Sequence, residues 1–79
     1  MNKKGYTIYL DLEGEKRIRL THVRSDKMAD KIYSYYINRL RRGLHTYKYG
    51  KKICRIILVQ EKDGAWFTYS NEEGFREAA

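Results

Sequence analysis

A chain of 79 residues, 42% hydrophobic and 14% aromatic, is bounded to one small folded domain, residues 1–79, and is not a disordered tail. One cysteine, Cys54, excludes a disulfide framework and fits a reducing cytoplasm; Ile56-Ile57-Leu58-Val59, the longest aliphatic run, is far short of the roughly 20 apolar residues of a membrane span. The net charge of +7 is concentrated: residues 27–55 hold nine Lys/Arg and one acid, while residues 56–79 hold two bases and five acids. Such a polarised chain attracts polyanions.

The start, Met1 to Gly5, is basic and leads into no signal-peptide apolar stretch. Tyr6 to Leu12 then alternates, with Tyr6, Ile8, Leu10 and Leu12 on one side, which predicts a half-buried strand. Glu13-Gly14-Glu15 predicts a turn, and Lys16 to His22 a second strand with Ile18 and Leu20 on its apolar face. A three-residue loop pairs Leu10 with Ile18 and Ile8 with Leu20, and sets Asp11 across from Arg17; a two-residue loop would put Arg17 opposite Leu10.

Ser25 or Asp26 is placed to cap a helix that runs to about Arg42. Met28, Ala29, Ile32, Tyr33, Tyr36, Ile37 and Leu40 share one face at helical spacing, and Lys27, Lys31, Ser34, Asn38, Arg41 and Arg42 lie opposite. Gly43 is the expected terminator. Leu44 to Lys52 is a basic connection, with a short strand expected around Tyr47-Lys48-Tyr49. Ile53 to Glu61 predicts a third strand, Asp63-Gly64 a two-residue turn, and Trp66 to Ser70 a returning strand that pairs Leu58 with Tyr69 and Gln60 with Phe67. From Asn71-Glu72-Glu73 to Ala78 a short terminal helix is expected, weakened by Gly74. The predicted class is α+β: a small antiparallel sheet of two hairpins packed by one amphipathic helix, in the order β-β-α-β-β.

The third strand is apolar on both faces. Cys54, read as a small core hydrophobe, lines one face with Ile56, Leu58, Phe67 and Tyr69. Ile53, Ile57 and Val59 line the other, with Trp66. One helix covers one sheet face, so the second needs the terminal segment or a second copy of the chain. A homodimer through Ile53, Ile57, Val59 and Trp66 is therefore one expectation.

The basic cluster carries the main functional expectation. Arg39, Arg41, Arg42, Lys48, Lys51, Lys52 and Arg55 fall within 17 residues, where a helix end followed by a basic loop can line up phosphate contacts. Tyr47 and Tyr49 flank Lys48 and suit base stacking. A blander reading has the arginines complementing the helix dipole and the lysines solubilising a loop. Tyr9, Arg17 and Arg19 form a comparable set on the first hairpin, and Tyr35 is placed to stack with Arg39. His22 and His45 are the residue type for an acid/base pair of a metal-independent ribonuclease, although their spacing does not require it. There is no metal-ligand spacing, no Gly-rich phosphate loop and no nucleophile–base arrangement, so no metal, cofactor or catalytic residue is assigned. The leading expectation is a non-enzymatic accessory or regulatory module that binds DNA or RNA. A homodimeric interaction module and a small ribonuclease or toxin-like enzyme are the alternatives.

Overall fold

Period-two alternation and one helical stripe fold into five antiparallel strands with a single helix laid across one face. The computed structural model describes residues 5–78; the basic start at Met1 to Lys4 lies outside the described residues. The elements are β1 (Tyr6–Leu12), β2 (Ile18–Val23), α1 (Asp26–Arg41), β3 (Ile53–Gln60), β4 (Trp66–Ser70) and β5 (Gly74–Ala78), with a three-residue helical turn at Lys48–Gly50. The sheet order is β2-β1-β3-β4-β5. The α+β class and the β-β-α-β-β order hold, and β5 extends them.

Helix α1 begins where Ser25 accepts a hydrogen bond from the Met28 amide, 3.0 Å. It ends in a Schellman closure: Leu44 N–H donates to Arg39 O at 2.8 Å and Gly43 N–H to Leu40 O at 3.0 Å, with Gly43 at φ 80°. Ala29, Tyr33, Ile37 and Leu40 are buried against the sheet, where they join Ile8, Leu10, Leu12, Ile53, Ile56 and Tyr69. Met28, expected on that face, remains 46% exposed beside the first turn.

Three registers differ from the sequence expectation. In the first hairpin Leu10 pairs with Ile18 as expected, but Ile8 pairs with Thr21 because Leu20 is the extra residue of a bulge. The bulge keeps Leu20 against the core without forcing a flat ladder. In the second hairpin Leu58 pairs with Phe67 and Ile56 with Tyr69, so the loop is longer than the two residues expected at Asp63-Gly64. Gln60 N–H donates to Ala65 O at 2.7 Å and closes residues 61–64, and the Asp63 carboxylate accepts from the Ala65 amide at 3.0 Å. The slip is by two residues, so Phe67 and Tyr69 keep the helix-side face.

The third difference moves two residues between environments. β1 and β3 pair as Asp11↔Arg55 and Leu12↔Ile53, so Cys54 is the bulged residue. Ile53 turns into the helix-side core at 2% exposure, and Cys54 is exposed rather than buried. The expected placement of Ile53 on the second face, and of Cys54 in the core, is thereby corrected.

The terminal segment is a strand, not a helix. Asn71–Glu73 turn, Gly74 sits at φ 68°, and β5 pairs along β4 from Ser70↔Gly74 to Trp66↔Ala78. Strand pairing satisfies the outer edge of β4 and sets Phe75 against Tyr69, with ring centroids 4.8 Å apart. Among the described residues no helix is long and apolar enough to cross a membrane.

Candidate nucleic-acid interface

The basic connection after α1 folds into a finger. Thr46 and Lys52 bridge, Tyr47 N–H donates to Lys51 O at 2.7 Å, and Lys51 N–H to Lys48 O at 3.3 Å. Tyr49 and Gly50 occupy the tip with φ 61° and 74°, the two left-handed positions of a tight hairpin turn. The strand expected at Tyr47-Lys48-Tyr49 is replaced by this turn, because Gly50 follows Tyr49 and frees the chain to reverse. Tyr49 is 94% exposed. A tyrosine held at positive φ costs about 1 kcal/mol, and here its ring gains no packing in return. Tyr47, by contrast, packs against the core and roots the finger.

The seven expected cations occupy different settings. Arg39 donates to Thr46 O at 3.1 Å and lies 5.8 Å from the centre of the Tyr35 ring, so it anchors the finger and makes the expected stack. Arg41 lies over the rings of Tyr69 and Phe75, at 5.6 and 5.5 Å. Lys51 pairs with Glu15 of the β1–β2 turn. Arg42, Lys48 and Lys52 are exposed and belong to no ion pair among the described residues. Arg55 stands apart on the other face of the sheet, paired with Glu73 and lying 3.6 Å from Asp11.

That second face carries no helix. Across it the strand register builds a row Arg19–Tyr9–Ile57–Thr68–Arg76, one residue from each strand. The next row is His22–Thr7–Val59–Trp66–Ala78. The expected Asp11–Arg17 bond is present at 2.7 Å, and it holds the Arg17 guanidinium even more firmly protonated. Of the residues expected at a dimer contact, Ile53 is in the core and Ile57 is 1% exposed within the chain; Val59 is half-buried and Trp66 is 41% exposed. Thr7 and Thr68 are buried as well, at 3% and 5%, so the accessible part of this face is arginine and aromatic rather than aliphatic. Arg76 escaped the sequence reading because its membership depends on β5 being a strand. The alternation of Trp66, Thr68 and Ser70 is the signal that marks the inner edge of that face.

His22 and His45 lie at opposite ends of the sheet. His22 pairs with Thr7, while His45 O accepts from Ile53, which pairs with Leu12. Five strand residues separate these positions, roughly 17 Å. His45 instead lies 3.3 Å from the Asn71 side chain. On the helix side, the Tyr33 hydroxyl is buried without a hydrogen-bond partner among the described residues, and burial pushes its pKa up to about 12. Burial also raises the Tyr36 hydroxyl, and the hydrogen bond to Asp26 raises that of Tyr6.

Comparison of the chain with protein-family models, with curated proteins and with solved structures finds no match.

Proposed function

We propose that this chain is a small, non-enzymatic nucleic-acid-binding module that engages its polyanion with the helix end and the finger. The carrying observation is Tyr49, fully presented at a strained backbone position between Lys48 and the Lys51-Lys52 pair. Arg42, Lys48 and Lys52 supply charge that no ion pair engages among the described residues, Lys52 from the rim of a cleft it shares with Asp11, Glu13 and Glu72. Arg39 supports this surface as the finger anchor and Lys51 through the Glu15 pair, whereas Arg41 turns toward β4 and β5, over Tyr69 and Phe75. Cations of this kind release counterions when they meet phosphates, and an exposed ring adds a stacking surface.

The test is fluorescence anisotropy with labelled single- and double-stranded DNA and RNA over a salt series. The expected result is a complex that weakens steeply with salt. Replacing Arg42, Lys48 and Lys52 together by Gln should weaken it and lower the slope of log K against log salt by about 2 to 3. No binding at low salt to any of the four polymers would overturn the function. Binding by the triple variant with an unchanged slope would overturn the surface.

A further inference from the structure

We infer that the helix-free face of the sheet is a platform for single-stranded nucleic acid, with bases stacked on Tyr9 and Trp66. This rests on the proposed function and adds the strand state of the ligand and a second surface. The row Arg19–Tyr9–Ile57–Thr68–Arg76 runs across all five strands, and places an arginine at each margin of the platform. Trp66 stands in the adjacent row, two strands from Tyr9. Two strand spacings and two residues of rise put their Cα atoms roughly 12 Å apart. The two rings are therefore too distant to stack with one another and are spaced for two different bases.

Charge favours an anionic occupant. The carboxylates facing this side are engaged: Asp11 by Arg17 at 2.7 Å and Arg55 at 3.6 Å, Glu73 by Arg55, and Glu61 by the Thr7 hydroxyl at 2.5 Å. Arg19 and Arg76 are exposed and belong to no ion pair among the described residues. Ile57, Thr7 and Thr68 at the centre are already covered, so the face offers rings and guanidiniums, not a broad aliphatic patch. Unpaired bases present π-faces and Watson–Crick edges to such a surface, whereas a duplex keeps its bases stacked inside. The single-stranded polymer is thus the occupant whose chemistry fits.

Trp66 is the chain's only tryptophan, so its fluorescence reports this face directly. The full chain is titrated with oligo(dT) and oligo(U), and separately with a DNA duplex, while anisotropy of the labelled polymer is followed in parallel. Both single strands should quench Trp66, and the duplex should leave it unchanged. Tyr9→Ala should weaken single-strand binding about tenfold, within the range for one lost base–aromatic stack. Arg19→Gln with Arg76→Gln should weaken it further while circular dichroism stays native. Anisotropy that shows binding without quenching, or a folded Tyr9→Ala variant that binds like the parent, overturns the platform and leaves the finger surface standing. Equal quenching by duplex and single strand overturns the strand preference. Absence of binding to every polymer overturns the platform together with the proposed function.

Discussion

Asn71 donates from its side-chain nitrogen to the carbonyl oxygen of Leu40 at 2.8 Å, and so ties the β4–β5 turn to the last turn of α1. The same side chain accepts from the Tyr69 hydroxyl at 3.2 Å. Leu40 is 2% exposed, so its carbonyl has little access to water as a replacement partner.

Asn71→Ala should therefore cost about 1 kcal/mol, the net worth of one hydrogen bond, because the Leu40 carbonyl keeps the Gly43 amide as a donor. Asn71→Asp should do no better, because its carboxylate has no hydrogen to give Leu40. Urea unfolding measures both. A midpoint for Asn71→Ala equal to that of the parent would show that the tie adds nothing.

Tyr33 gives a stability prediction with a defined pH window. An unfolded tyrosine ionises near pH 10, whereas the buried Tyr33 hydroxyl is pushed up to about 12. The native state holds this proton more tightly than the unfolded state does. Its contribution is fully present below about pH 10 and is lost as pH rises through about 12, an effect on the order of 2 kcal/mol. Tyr33→Phe removes the unpartnered hydroxyl and should be neutral or stabilising by about 1 kcal/mol at pH 7. It should also flatten the alkaline loss of stability relative to the parent. A variant whose stability declines in parallel with the parent between pH 10 and 12 would contradict the assignment.

Tyr49→Asn separates strain from contact at the finger tip. Asparagine tolerates the left-handed backbone better than tyrosine does, so the melting temperature should hold or rise slightly. Removal of the ring should weaken nucleic-acid binding by roughly fivefold or more, the lower limit for one stack. Thermal melts and anisotropy on the same sample check both parts, and unchanged affinity would remove Tyr49 from the interface.

Arg55 and Arg42 should not behave alike. Arg55 already faces Asp11 and Glu73, so Arg55→Gln should alter polyanion affinity less than Arg42→Gln. Asp11→Asn should release Arg17 at little cost to stability, while Glu73 still holds Arg55, since partly exposed pairs are worth about 1 kcal/mol or less. The salt slope should then steepen by up to about 1. An Arg55→Gln loss equal to that of Arg42→Gln would show that the carboxylates do not mask this charge.

The elements that residue spacing made legible are those whose signal is local. The alternation in Tyr6–Leu12, the apolar stripe from Ala29 to Leu40, the Ser25 cap and the Gly43 stop each depend on neighbours a few residues away. So does the parity that kept Leu10 opposite Ile18. What escaped depends on partners distant in the chain. Gly74 weakened a helix reading of the last segment, but only the open edge of β4 made it a strand. The bulge at Cys54 reflects how β3 fits β1, and it reversed the environments of Ile53 and Cys54 without a local mark. The basic run looked continuous along the chain, yet Arg55 crosses to the far face because β3 begins after Lys52 and its side chains alternate across the sheet. Periodicity along the chain thus decided which elements form and which side of each is apolar. Which charges meet, which are neutralised and which rings stand in the open were decided by register across the sheet, because pairing between distant strands sets those distances.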